Sequence, residues 1–344
     1  MPLPYPPSRR CDQTDTYHGT PVPDPYRWLE DPNSDETQAW IEAQNEVTFG
    51  YLKQLPTVEP LQQRLTELWN YERYSVPFKR GGRYFYYKND GLQNQAVLYT
   101  QADLEADPEI LLDPNTLSAD GTVALSSIAV SENGRYLAYS LSSSGSDWLE
   151  WRVRDIETGA DLGDHLQWSK FSGAAWSHDH QGFFYSRYDE PAADAQFEAV
   201  NYYQKLFYHR LGTPQSEDVL IYERPDQKEW GFRGQVTNDG RYLVISVWRG
   251  TERKNLVFYK DLQDPNSTVT ELVSNFEALY GLIDSDGTTF WFQTDLDAAR
   301  GRVIALDLSV GNTPKEIIPE AEETLESVGL VNHQFVVNYL QDAY

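Results

Sequence analysis

Few residues in this chain could do chemistry. Six histidines are scattered through 344 residues: His18, His165, His178, His180, His209 and His333. A structural or catalytic zinc needs three or four close His, Cys or carboxylate ligands. Only His178-Asp179-His180 approaches that density. It falls between Trp176 and Phe183, where a polar hairpin turn is expected, and no third ligand lies near it in sequence. It reads as a solvated turn, and no metal is expected. A serine nucleophile on a strand-to-helix elbow needs a Gly-x-Ser-x-Gly spacing, which does not occur. Ser144-Gly145-Ser146-Asp147 reads as a loop, and Phe171-Ser172-Gly173 as the start of a strand. No phosphate-cradling glycine pattern follows any strand. The residues alone therefore offer no catalytic constellation and call for no cofactor.

Composition narrows the partners. The net charge of −25 argues against nucleic acid and anionic membranes, which are bound through clustered Lys and Arg. The densest basic group is Lys79-Arg80 with Arg83, at a strand end. Cys11 is the only cysteine, so no intrachain disulfide can form, and a reducing, cytoplasmic setting is expected. The start, Met1-Pro2-Leu3-Pro4-Tyr5-Pro6-Pro7, lacks a basic segment followed by an apolar core. No apolar run approaches the ~18 residues of a spanning helix.

The elements that must position any site fall into two kinds. After a Pro-rich stretch, Ser34 suits a helix N-cap, with Asp35 and Glu36 favouring the positive end. Trp40, Ala43, Val47 and Tyr51 then recur at near-helical spacing and imply one buried stripe. A second helix is expected from Pro60 to Trp69, with Leu61, Leu65, Leu68 and Trp69 on one face. Two such helices cannot make a core together and need another surface. Residues 1–71 thus form an extended and helical segment, separate from residues 72–344.

From about residue 72 the period changes to two. A turn followed by an aromatic strand recurs, as in Gly81-Gly82-Arg83-Tyr84-Phe85-Tyr86, Asn133-Gly134-Arg135-Tyr136 and Asp239-Gly240-Arg241-Tyr242. Taking Gly82, Gly134, Gly182, Gly240, Gly287 and His333 as markers, the copies lie 46 to 58 residues apart. Asn-Gly and Asp-Gly supply the positive φ angles of tight hairpins, and aromatic residues, 14% of the chain, suit half-buried sheet surfaces. Four strands per ~50 residues, repeated, is the pattern of β-propeller blades. A large β-sandwich is the competing fold, but does not require such regularity. Blades are expected to begin near residues 74, 125, 171, 232, 277 and 326. About five and a half would be present, the sixth ending after two strands. An unfinished unit would uncover on the order of 500 Å² of apolar surface, about 12 kcal/mol. The isolated chain is therefore expected to be marginal or aggregation-prone.

Specific strings then point to a family. Asp24-Pro25-Tyr26-Arg27-Trp28-Leu29-Glu30-Asp31-Pro32 resembles a signature of the prolyl oligopeptidases. So do Tyr84-Phe85-Tyr86-Tyr87-Lys88-Asn89-Asp90-Gly91, Leu112-Asp113-Pro114-Asn115, Ser142-Ser143-Ser144-Gly145-Ser146-Asp147-Trp148, Lys170-Phe171-Ser172-Gly173-Ala174-Ala175-Trp176 and Gln204-Lys205-Leu206-Phe207-Tyr208-His209. The similarity runs in order along essentially the whole chain. It implies an all-β fold with a seven-bladed propeller, incomplete here, behind an N-terminal helical extension. It also implies a serine peptidase that cleaves short peptides after proline, with the propeller gating an α/β-hydrolase domain. The N-terminal segment would pack on that domain. The family's Ser, Asp and His lie in its C-terminal half, so no catalytic residue is assigned here, and this chain alone is expected to be inactive.

The resemblance further implies that the propeller lends side chains to an apolar subsite upstream of the proline. By position Phe171 matches its aromatic member, while Gly231 and Thr251 fall where larger or thiol-bearing residues occur in some relatives. That subsite is expected to be wider here. The alternative for Phe171 is an ordinary inner-strand core residue. For the chain as a whole the competing function is a stand-alone propeller serving as an interaction scaffold. A carbohydrate-acting propeller would need an inward pair of carboxylates, and none can be named.

Overall fold

The computed structural model describes residues 3–192 and 200–342. The chain divides into two compact units, one of residues 1–72 with 90–92, the other of residues 73–89 with 93–344.

In the first unit, Thr14–Tyr17 and Thr20–Pro23 pair as a short hairpin. Helix α1, Asp35–Leu52, starts where Ser34 caps it: the Ser34 hydroxyl accepts from the Thr37 amide at 3.3 Å. Arg9 clamps Glu36 in its first turn, and the Trp40 indole donates to Ser8. Helix α2, Val58–Trp69, begins two residues before the expected Pro60, which sits in the first turn where its missing N–H costs nothing. The stripe expected to be buried on α1 is covered unevenly, since Tyr51 is 46% exposed. On α2, Leu61, Leu65, Leu68 and Trp69 are all more than half exposed.

The second unit is a series of antiparallel sheets taken in chain order. The first contains Arg83–Asn89, Val97–Gln101 and Glu109–Leu112. Its leading strand is broken into Arg73–Tyr74 and Phe78–Arg80, which both pair with Arg83–Asn89. The break falls at Val76-Pro77, where proline removes a ladder donor. Four four-stranded sheets follow: Val123–Val130 to Asp161–Ser169, Ala175–Trp176 to Val219–Tyr222, Trp230–Val236 to Thr270–Val273, and Tyr280–Asp286 to Gly311–Ile318. The sixth pairs Thr324–Val331 with Gln334–Leu340.

Each buried cluster is shared by two consecutive sheets. Phe85, Leu98 and Leu112 of the first meet Leu137 and Tyr139 of the second. The second sheet's Ala138, Trp151 and Val153 meet Trp176, Phe183 and Tyr185 of the third. Phe184 and Leu206 then pack on Leu243, Ile245 and Phe258 of the fourth, whose Tyr242, Val244 and Val257 pack on Phe290, Phe292 and Ile304 of the fifth. Neighbouring residues such as Phe183 and Phe184 serve opposite clusters because strand side chains alternate in direction. Sheets stacked serially, with the second, third and fourth buried on both faces, exclude the two-layer sandwich. The leading strands of the first four converge on one cavity of about 340 Å³, lined by Phe78 and Arg80, Ile128–Val130, Gly173–Trp176 and Arg233–Val236.

Candidate functional site

Phe171 does not begin a strand. The third sheet starts at Ala175, and Phe171 precedes it with φ +55°, a region that bulky residues rarely occupy. Its ring is 48% exposed, so the reading of Phe171 as a core residue is set aside. Strain of this kind, on the order of 1–3 kcal/mol, persists only where the surroundings over-determine it.

The surroundings are specific. Lys170 is buried, with its ammonium 3.9 Å from the Trp148 ring centre and donating to Asn201 Oδ1 at 3.0 Å. Burial lowers its pKa, against the opposing charge of Asp147. The Lys170 carbonyl accepts from Gln204 Nε2 at 2.8 Å, and Gln204 Oε1 accepts from the Phe232 amide at 2.7 Å. Gln204 thus fixes the Phe171 turn against the leading strand of the fourth sheet. On the other side, the Ser172 hydroxyl accepts from the Ser186 amide and donates to the Gly173 carbonyl.

Held this way, Phe171 stands edge-on to Trp248, with centroids 5.9 Å apart and planes at 88°. Gly231 pairs with Trp248 across the hairpin, and a Cβ on Gly231 would lie 2.0 Å from Trp248 Cζ2. The width expected over Gly231 is therefore taken up by the Trp248 indole. Phe171, Trp248, Gly250 and Thr251 line one cavity of about 830 Å³ with Val200, Tyr202 and Glu229. The fold brings Phe171 and Thr251 to that cavity and places Gly231 beneath its tryptophan wall. Phe171 also borders a second cavity of about 490 Å³, which carries Arg233 and several serines.

The His178-Asp179-His180 turn is internally committed. Asp179 accepts from the Ser177 hydroxyl and the Gln181 amide, and the His178 ring lies against Gly240 of the fourth sheet. Among the described residues no group of three His, Cys, Asp or Glu side chains is placed to hold a metal ion. No helix among them is long and apolar enough to cross a membrane.

One polar cluster had no counterpart in the sequence reading. His209, fully buried, lies between Asp218 Oδ1, 2.7 Å from Nδ1, and Asp164 Oδ1, 2.9 Å from Nε2. Tyr185 donates to Asp218 at 2.6 Å, and the Gly212 amide donates to Asp164. Burial disfavours a charged imidazole, but the two carboxylates outweigh it and raise the His209 pKa to about 9. Asp164 is likewise pushed up by burial and pulled back below its ordinary value by His209 and Gly212. Asp164 belongs to the second sheet and His209 to the third, so the cluster is an ionic staple between sheets. Its imidazole faces carboxylates rather than a hydroxyl, which gives it a structural role.

With this geometry in hand, residues 6–344 match the model of the prolyl oligopeptidase N-terminal β-propeller domain. The chain belongs to that family. It is 38% identical over 343 residues to the prolyl endopeptidase of Elizabethkingia miricola, covering 99% of this chain and 48% of that protein. It is 34% identical to prolyl oligopeptidase A of Galerina marginata, covering 96% of this chain and 50% of the relative. Among solved structures, prolyl oligopeptidase B of Galerina marginata bound to a 25mer macrocyclization substrate aligns with TM-score 0.86 and 31% identity, over 98% of this chain and 51% of that one. A prolyl endopeptidase from a study of inter-domain dynamics aligns with TM-score 0.73 and 36% identity. The chain thus spans about half the length of the relatives it matches. The serial sheets are the blades of the family's propeller.

Proposed function

We propose that this chain is the gating portion of a serine-type, proline-specific oligopeptidase acting on short peptides in the cytoplasm. In this reading residues 1–71, with the exposed apolar face of α2, pack on a hydrolase domain that supplies the Ser, Asp and His, and the chain alone does not cleave. Family membership along nearly the whole chain supports the peptidase class, since its relatives are named prolyl endopeptidases and oligopeptidases. Fold alone would not, because propellers serve many functions.

The observation that carries the reading to the site is the Phe171–Trp248 pair. A strained, half-exposed aromatic braced by Lys170 and Gln204 costs stability and fills no core. Such a residue is expected where a ligand is contacted. Phe171, Trp248 and Thr251 would form the apolar wall that accepts peptide residues upstream of proline, and Gly231 would let Trp248 stand there.

The test mixes the 344-residue chain with a separately made hydrolase half and assays a proline-linked chromogenic peptide. Cleavage is expected from the mixture and not from the chain alone. Cleavage by the chain alone, or none by a folded mixture, would refute the assignment. In the latter case the interaction-scaffold reading would take its place.

A further inference from the structure

Beside Phe171, the 490 Å³ cavity is lined by Ser126, Ser127, Ser142, Ser146, Asp147, Leu149, Ser172 and Arg233. Arg233 lies on the leading strand of the fourth sheet and also borders the cavity where the leading strands converge. There the other arginine, Arg80, is held by Glu132 at 3.1 Å. Arg233 is exposed, and no described residue forms a hydrogen bond or ion pair with its guanidinium. Gly173 faces it without a side chain, and a Cβ there would come within 3.5 Å of Arg233 Nε.

The wall opposite is shaped by a bulge. In the Val123–Val130 strand the register shifts between Leu125 and Ser127, leaving Ser126 without a cross-strand partner. In a regular strand Ser126 and Ser127 would face opposite ways. Here both line the same cavity, the re-aiming that bulges provide beside functional sites. Neither hydroxyl has a hydrogen-bond partner among the described residues. Three donors, one of them cationic, thus face this space without acceptors. The one carboxylate there, Asp147, is electrostatically coupled to the Lys170 ammonium.

From this arrangement we infer a carboxylate-recognising subsite made by Arg233, Ser126 and Ser127, adjoining the Phe171 wall. It rests on the peptide-binding reading above and deepens it. A bound peptide would seat an acidic group against the guanidinium, accepting charge-assisted hydrogen bonds, with the serine hydroxyls as further donors. In a chain of net charge −25 the long-range field repels such a group, so selection depends on this local cation. The acidic group has two sources, a Glu or Asp side chain upstream of proline or the peptide's own terminal carboxylate.

The test is calorimetric titration of the 344-residue chain with three probes: acetyl-Glu-Ala-Pro-amide, acetyl-Gln-Ala-Pro-amide and acetyl-Gln-Ala-Pro with a free carboxylate. At low salt at least one acidic probe is expected to bind about tenfold tighter than the neutral one, the size of one partly exposed charge-assisted hydrogen bond. Which probe gains identifies the source. The gain should vanish in Arg233→Gln, persist in part in Arg233→Lys, and fall severalfold in Ser126→Ala/Ser127→Ala, with near-UV circular dichroism verifying that each variant keeps its packing. Equal binding of all three probes, or a gain that survives Arg233→Gln, overturns the subsite while leaving peptide binding intact. Binding of none of them by folded chain removes the subsite and the peptide reading together.

Discussion

The Trp248 indole occupies the place where a side chain on residue 231 would have to be. A Cβ on Gly231 would sit 2.0 Å from Trp248 Cζ2, so glycine here is the condition for a tryptophan wall beside Phe171. Gly231→Ala should displace that ring and cost about 1–3 kcal/mol, the usual penalty of overpacking. The urea midpoint measures this. Gly231→Met combined with Trp248→Ala should recover most of the loss, since the new side chain then fills the space of the old. If Gly231→Ala alone leaves the midpoint and the tryptophan emission unchanged, the packing described here is wrong.

Phe171→Ala should be mild for stability and severe for ligand contact. Truncating a fully buried phenylalanine such as Phe183 costs about 3–5 kcal/mol. At Phe171 the loss should stay near 1 kcal/mol, the worth of an aromatic pair, because the ring is half exposed. In an intact parent enzyme the variant should lose affinity for peptides extended upstream of proline and keep it for short ones. Equal losses for both would refute the contact.

Gln204→Leu removes the link between Lys170 O and the Phe232 amide, leaving two buried backbone groups unpaired at about 1–3 kcal/mol each. Hydrogen exchange at the Phe232 amide should accelerate well beyond that of neighbours in the same strand. Protection that stays unchanged would show that the bridge holds nothing.

The His209 staple sets a pH window. Its folded pKa of about 9 exceeds the ordinary 6.5, so its stabilisation is complete below about pH 6.5 and fades as pH rises to 9. Asp164, lowered in the fold, contributes above its ordinary value near 3.8 and loses its contribution as pH falls through the folded one. Comparing urea midpoints of the parent and His209→Gln, the gap should be widest near pH 6 and narrow by pH 9.5, by on the order of 2–3 kcal/mol. A gap independent of pH would mean that the imidazole is neutral throughout.

The repeat was legible because its turns and strands are local. Asn133-Gly134 and Asp239-Gly240 mark hairpins, and period-two apolar runs mark the strands between them. Four strands per unit and both helices follow from such signals. Closing the hairpin about Asp239-Gly240 would even have set Gly231 opposite Trp248, a register within reach of the sequence. The split of the first sheet's leading strand was not read from the sequence, although Pro77 carries the signal for it. What stayed hidden depends on distant segments. Phe171 looks like a strand residue until Lys170 finds Trp148 and Gln204 finds Phe232. His209 joins Asp164 across 45 positions, and no spacing rule reports that. Arg233 reads as an exposed strand residue until a bulge in another sheet turns two serines toward it.

Some of the glycines in the repeated turns have a second task. Gly81 and Gly134 approach so closely that a Cβ on Gly81 would meet the Asn133 carbonyl at 2.2 Å, and one on Gly240 would strike the His178 ring. The hairpin tips of the first and second blades, and those of the third and fourth, are thus crowded against one another, not merely bent. Recombining or duplicating units at these two seams would succeed only where the transplanted tip kept its glycine, even if asparagine could satisfy the bend; the tips at Gly82 and Gly287 have open space and carry no such demand. The spacing that betrays the architecture is also a fitting tolerance: it limits which modules can be exchanged as the family diversifies.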